Sequence, residues 1–199
     1  MNATIADSIF DKLSHRIITG DLPAGEKLRQ DHIARAYDTS HVPVREALLR
    51  LEARGLARSE PRRGMRVTAL DPAEVREVIE MRVALESLAL QYAIQNMTPA
   101  ALKAADDARI NCDEAQDMPT WEARNRIFHR TILTPCARPR LLHTIDDLHI
   151  ASARHLFLHW RQRWVQRIDA DHAAIAQAMK RKDAPTACSI LVRHIRRAS

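Results

Sequence analysis

Glycine is scarce in this chain: there are 4 among 199 residues, and none follows Gly64. That long glycine-free stretch shows no convincing alternating strand and suits a compact helical bundle. Cysteine is as sparse. Cys112, Cys136 and Cys188 are odd in number and contain no CxxC pair, which points to reduced structural thiols in a cytoplasmic protein. No apolar run approaches the roughly 20 residues needed to span a bilayer. The start MNATIADSIFDKL has no basic segment followed by an apolar core, so a soluble, unprocessed protein without a membrane partner is expected. Internal repeats and low-complexity segments are absent, and so is HExxH or any comparable motif that would set a general base beside metal ligands. What is present is ordinary globular composition, 46% hydrophobic and 28% charged, with length for one large core or for a small domain plus a larger one. Lys and Arg total 31 against 25 Asp and Glu, giving +6 and a pI near 9.7, which fits an anionic partner.

Residues 40 to 56 read SHVPVREALLRLEARGL. Val44, Ala47, Leu48 and Leu51 recur at the i, i+3, i+4, i+7 spacing of one buried helical face. Ser40 is placed to cap this helix, Pro43 falls in the first turn where its missing N–H costs nothing, and Gly55 ends it as a residue with positive φ. His41 and Arg45, four apart, project together from the other side of its N-terminal end. Before it, Ile5, Ile9, Leu13 and Ile17 mark a first helix stopped at Gly20, DLPAG makes a turn, and Gln30 to Tyr37 forms a short second helix with Ile33, Ala34 and Tyr37 on one side. Three short helices with a tight link between the last two make a helix-turn-helix. LARSE and MRVTAL, separated by PRRG, follow as a two-stranded wing in which Met65, Val67 and Ala69 alternate with Arg66 and Thr68.

Major-groove reading needs a helix narrow enough to enter, side chains near its N-terminus that reach base edges, and cations over the flanking phosphates. Ser40, His41, Val42 and Arg45 meet the first two demands. Arg50, Arg54, Arg62, Arg63 and Arg66 are placed for the third, and Gly64 lets the wing backbone lie close to a sugar-phosphate surface. The bland alternative, a solvated basic face, does not explain why helix, turn, probe helix and wing occur in docking order. IITGDLPAGEKL, then HIARAYDTSHVPVREALLRLEARGL, then RRGMRV, resembles the winged helix-turn-helix domain of the GntR family of bacterial transcription regulators over residues 5 to 70. The resemblance implies operator recognition by Ser40, His41, Val42 and Arg45, supported by Arg29 and the Arg63-Gly64 wing tip. Where the family commonly has Arg, this chain has His41, shorter and mostly neutral at pH 7, which implies a different operator or a lower affinity.

At Asp71-Pro72-Glu74 the composition turns to an N-cap, an N1 proline and an N3 carboxylate. From here we read about six helices, starting also at Thr98-Pro99, Thr120-Trp121, near Pro139 and at Asp183 to Pro185, with breaks near Asn96, Gln116, Pro135, Arg163 and Lys182. Asn125 and His129, in WEARNRIFHRTIL, share one helix face beside Phe128 and Ile132. His172 in DADHAAIAQAM and His194 in SILVRHIRR each adjoin an apolar stripe on a separate helix. Three imidazoles and an oxygen donor from three helices would suit Zn²⁺ or another borderline metal such as Ni²⁺ if they converged. Spacing alone favours ordinary core or surface roles, and His155 and His159 are an equally good i+4 pair. Arg82, four before Glu86, reads from spacing as an intrahelical ion pair.

Residues 75 to 197 are also similar to the FCD effector-binding domain that follows this winged helix in the FadR subfamily, notably in Met81-Arg82-Val83-Ala84-Leu85-Glu86, Asn125 to His129, Asp171-His172 and His194-Ile195. The similarity implies a metal held at Asn125, His129, His172 and His194, a small carboxylate effector resting on it, and Arg82 directed into the effector cavity as a guanidinium for that carboxylate. The usual residue at the Asn125 position is Asp; an amide oxygen is a weaker donor and leaves one more positive charge on the site. Arg138 also stands where many relatives have Asn.

The expectation is therefore a mainly α protein, with an N-terminal winged helix-turn-helix and two-stranded β wing at 1 to 70 and an all-α effector-binding and dimerisation bundle at 71 to 199. Its function is that of a cytoplasmic, homodimeric, ligand-responsive transcriptional regulator binding a pseudo-palindromic double-stranded operator. The rival is a helical metal-dependent enzyme with a DNA-binding appendage, which the absence of a base motif makes poor.

Overall fold

The computed structural model describes residues 4–160 and 163–197, with side chains described outside 158–160. The chain divides into two compact units, Met1–Pro72 and Ala73–Ser199.

The first unit opens with α1 (Ile5–Ile18), whose start is fixed by a reciprocal box: Asp7 N–H donates to Thr4 Oγ1 at 3.1 Å and Thr4 N–H to Asp7 Oδ2 at 2.8 Å. Ile9, Leu13 and Ile17 are buried, but Ile5 is 59% exposed. Each i+4 step overshoots a full turn by about 40°, so a strict four-residue series drifts off its own face; Ala6 and Phe10 fill the buried face instead. Helices α2 (Gln30–Ala36) and α3 (His41–Ala53) follow. Val44, Ala47, Leu48 and Leu51 of α3 are all buried, the stripe expected from their spacing. The helix ends in a Schellman motif. Gly55, at φ 67, donates N–H to Glu52 O at 2.9 Å, and Leu56 donates N–H to Leu51 O at 2.9 Å before turning into the core. Ser40 occupies the N-cap position of α3 without a side-chain capping bond.

Strands β1 (Ala57–Glu60) and β2 (Gly64–Val67) pair antiparallel, Ala57 opposite Val67 and Glu60 opposite Gly64. Strand β2 stops at Val67, so Ala69 falls outside the wing and is exposed. A third edge joins the sheet. Gly25 N–H donates to Val67 O and Val67 N–H to Glu26 O, while Leu28 N–H donates to Met65 O, each at 2.9 Å. The segment read as a mere turn thus ties α1 and α2 to the wing.

The second unit consists, among its described residues, of α4 (Pro72–Gln95), α5 (Pro99–Asp113), α6 (Met118–Leu133), a single 3₁₀ turn (Thr134–Cys136), α7 (Pro139–Trp160), α8 (Ala170–Lys180) and α9 (Ala184–Arg197). The breaks fall where the sequence placed them. One start differs: Asp117, whose side chain accepts Thr120 N–H at 2.7 Å, caps α6, so that helix begins two residues ahead of Thr120. Thr98 and Asp169 cap α5 and α8 in the same way. α5 packs on α6 and α8, α6 on α7, and α8 on α9. Leu90, Phe128, Ile132, Leu133, Ile175, Met179 and Leu191 make one continuous core, and α4, α6, α8 and α9 each turn polar residues into it.

Candidate functional site

In the first unit, Ser40, His41, Val42 and Arg45 stand exposed at the N-terminal end of α3, Val42 at 75%. Val42 is thus an apolar side chain left uncovered at the start of the helix. Arg29, just ahead of α2, is exposed too, as are Arg63 and Gly64 in the β1–β2 turn, where Arg62 and Gly64 take positive φ. Two of the expected phosphate contacts are already engaged inside the unit. Arg50 binds Asp7 at 2.7 Å and lies 4.4 Å over the Phe10 ring, while Arg66 donates to Gly25 O at 2.7 Å and pairs with Glu60. His41 Nδ1 lies 3.6 Å from Asp31 on α2, an acidic neighbour that the sequence reading did not include.

The second unit brings together His129 of α6, His172 of α8 and His194 of α9. His194 Nε2 lies 3.2 Å from His129 Nε2 and 3.2 Å from His172 Nε2. All three rings are buried, His129 and His172 completely, and one ligand atom from each falls within a 4.8 Å group. Tetrahedral donors at Zn–N distances of roughly 2.0–2.1 Å are separated by about 3.3 Å, and the two separations from His194 match that spacing. Asn125, one turn before His129, is buried as well, and its Oδ1 has no hydrogen-bond partner. A buried carbonyl oxygen without a partner, one helical turn from a ligand-type imidazole, is a candidate fourth donor. Burial pushes every one of these imidazoles toward neutrality. For His172, burial with the neighbouring His194 and His129 holds the pKa well below 6.5. For His194, burial and His129 outweigh the opposing Asp169 and bring it down to about 4. Neutral imidazole is the ligand form. His155 is not in this group, and the side chain of its partner His159 lies outside the described residues.

Behind the histidines, a polar cluster joins α4 to α7. Arg82 Nε donates to Glu86 Oε1 at 2.8 Å and Arg82 Nη1 to Ser152 Oγ at 2.7 Å, while Nη2 lies 3.4 Å from His149 Nε2. The intrahelical pair expected from spacing is therefore present, and it is buried rather than solvated. Glu86 also reaches His129 Nδ1 at 2.7 Å and His149 Nε2 at 3.2 Å. Burial raises its pKa, but Arg82, His149 and His129 together outweigh burial and hold the carboxyl well below its usual range. Burial also lowers the pKa of His129 against the pull of Glu86. It lowers that of His149 too, with Arg82 as the next cause. Glu86, His129 and His149 form a second group with metal-ligand spacing, but a guanidinium in contact with both Glu86 and His149 opposes a cation there. Sequence reasoning missed Glu86, His149 and Ser152 as site residues. The i+4 spacing of Arg82 and Glu86 was the available signal, and the α7 residues gave none.

Comparison with known proteins follows the same division. Residues 77–197 match the FCD domain family, and residues 5–67 match the family described as bacterial regulatory proteins, gntR family. An uncharacterized HTH-type transcriptional regulator from the TAR-I ttuE-ttuC' intergenic region of Agrobacterium vitis is 31% identical over 135 residues, 65% of this chain and 79% of that one. The HTH-type transcriptional repressor GlaR of Escherichia coli K12 is 26% identical over 199 residues, 92% of this chain and 89% of GlaR. Among solved structures, E. coli McbR/YncC superposes with a TM-score of 0.84 at 23% identity, covering 98% of this chain and 95% of its own.

Proposed function

This chain belongs to the GntR family of bacterial transcriptional regulators, with an FCD domain behind its DNA-binding one, and from that premise we propose that it is a cytoplasmic, homodimeric, metal-assisted sensor of a small organic acid. It is a regulator and not an enzyme, as its named relatives are. In this reading Ser40, His41, Val42 and Arg45 read base edges, while Arg29, Arg63 and the Gly64 backbone hold phosphates. One short helix reads too few base pairs to select a genomic site, so the functional unit is a two-fold dimer on a pseudo-palindrome.

The convergence of His129, His172 and His194, together with the unpartnered Oδ1 of Asn125 one turn ahead of His129, supports the sensing half of the proposal. These residues would hold a divalent ion, Zn²⁺ or Ni²⁺, which supplies a Lewis-acidic seat for a carboxylate. All four donors are neutral, so the ion's two positive charges stay uncompensated by its ligands, which favours an anion. Arg82 offers the same anion whatever N–H groups Glu86, Ser152 and His149 leave over.

A thermal-shift screen of small mono- and dicarboxylic acids, run on the full chain with Zn²⁺, with Ni²⁺ and after chelation, tests this. A ligand at 100 times its Kd stabilises by about 2.7 kcal/mol, so a true effector gives a clear shift with metal and loses it on chelation. The proposal fails if neither metal stabilises the protein and no acid shifts it under any condition.

A further inference from the structure

We propose that Glu86 is the positioning residue of the histidine site: it fixes the His129 proton on Nδ1, leaves Nε2 free to ligate, and supplies from behind the negative charge that Asn125 does not bring. The inference rests on the metal reading above and goes beyond it.

The two carboxylate oxygens divide their work. Oε1 takes both Arg82 Nε and His149 Nε2, whereas Oε2 is given to His129 Nδ1, at 2.7 Å. Neutralising Arg82 needs only the first oxygen. Arg82 Nε, which can only donate, meets Oε1 at 2.8 Å, and a carboxylate paired with a guanidinium accepts and does not donate. The hydrogen in the Glu86–His129 contact therefore belongs to Nδ1, and a neutral ring then carries its lone pair on Nε2. That nitrogen is the one facing His194 Nε2 at 3.2 Å. The other two rings have no such anchor. His172 Nδ1 and His194 Nδ1 make no hydrogen bond, and Asp169 and Asp171 approach His194 Nδ1 only to 3.7 and 3.8 Å. Among the described residues, the tautomer of the ligand set is thus fixed at one point, by a fully buried side chain from a different helix. A carboxylate behind a ligating imidazole orients the ring and raises its basicity. Here it is also the carboxylate nearest to a donor set that is otherwise neutral.

The test is zinc affinity of the full chain, by competition with a chromophoric chelator, for wild type, Glu86→Gln, Asn125→Asp and the double variant. Glutamine keeps one oxygen that can accept from Nδ1–H, while its NH₂ then faces Arg82 Nε, so the change removes the charge and the Arg82 pairing, and stability is followed alongside zinc affinity. Loss of such a partner typically weakens metal binding about 10- to 100-fold, and that loss is expected for Glu86→Gln. Asn125→Asp should tighten binding, and Glu86→Gln should cost clearly less when combined with Asn125→Asp, because one negative charge then stands in for the other. A purely structural role for Glu86 would lower stability without that compensation. Zinc binding by Glu86→Gln within twofold of wild type, or an equal penalty with and without Asn125→Asp, overturns the proposal while leaving the metal site intact. A wild type that binds no zinc overturns the metal reading itself, and this proposal with it. Should Glu86→Gln fail to fold, histidine ¹⁵N NMR of the metal-free wild type at pH 7.5 decides: His129 as the Nδ1–H tautomer supports the proposal, and Nε2–H refutes it.

Discussion

Acidifying the metal-free protein from pH 7.5 to 5.5 should destabilise the helical unit, and the cause lies in the buried imidazoles. In the unfolded chain a histidine titrates near 6.5, whereas His194 titrates at about 4 in the folded protein. His129, His149 and His172 are lowered in the same direction, chiefly by burial. Between these values the unfolded state binds more protons, so stability is fully present above 6.5 and is lost as the pH falls toward the folded pKa. At pH 5.5 His194 alone withdraws on the order of 1 kcal/mol, and more as the pH falls toward 4. The other three imidazoles add to that. Glu86, Asp117 and Asp183 have lowered pKa values, so their contribution is lost only at more acid pH, whereas Glu122, raised chiefly by burial, works in the opposite direction and offsets part of the histidine loss. The assay is urea denaturation in chelator followed by tryptophan fluorescence, because Trp121, Trp160 and Trp164 all lie in the second unit. His194→Asn should flatten the pH dependence by the His194 share. Equal stability at pH 7.5 and 5.5, or an unchanged slope in the variant, would refute the reasoning.

Arg45→Ala should abolish discrimination between operator and random DNA, losing roughly 1–3 kcal/mol for a bidentate base contact, as read by competition binding. Arg63→Ala should instead weaken all sequences alike and lower the salt slope by about one unit; equal, sequence-independent losses for both variants would contradict the base-reading role of Arg45. Arg82→Met strands the Glu86 carboxylate, 0% exposed, and should cost about 3–5 kcal/mol in the same fluorescence assay. Removing both charges, as Arg82→Met with Glu86→Gln, should recover most of that loss.

Periodicity made the local structure legible. The α3 stripe, the Gly55 stop and the breaks between the later helices are all set by neighbours within a few residues, where sequence and geometry correspond directly. The departures have long-range causes. Gly25 to Leu28 pairs with a strand some forty positions later, and nothing within its own window announces that. Arg50 and Arg66 are expected from sequence to sit over phosphates, but long-range folding sets Asp7 and Glu60 beside them. At the histidine site, the i+4 spacing puts Asn125 and His129 on one face, but convergence with His172 and His194 depends on how α6, α8 and α9 pack. Resemblance to the family, not spacing, chose this set over His155 and His159. The Glu86–His149–Ser152 cluster was hidden for the same reason, since His149 and Ser152 meet Arg82 only through the packing of α7 beside α4.

Coupling between a small acid at the histidine site and DNA binding is read out by operator affinity. Wild type and His172→Ala should be compared with and without an acid identified by thermal shift, in metal and after chelation. The acid should change wild-type affinity about 5- to 150-fold, a coupling of roughly 1–3 kcal/mol, only when metal is present. His172→Ala and chelated wild type should bind operator as the ligand-free protein does, whether or not the acid is added. A response that survives both chelation and the substitution would contradict metal-assisted sensing.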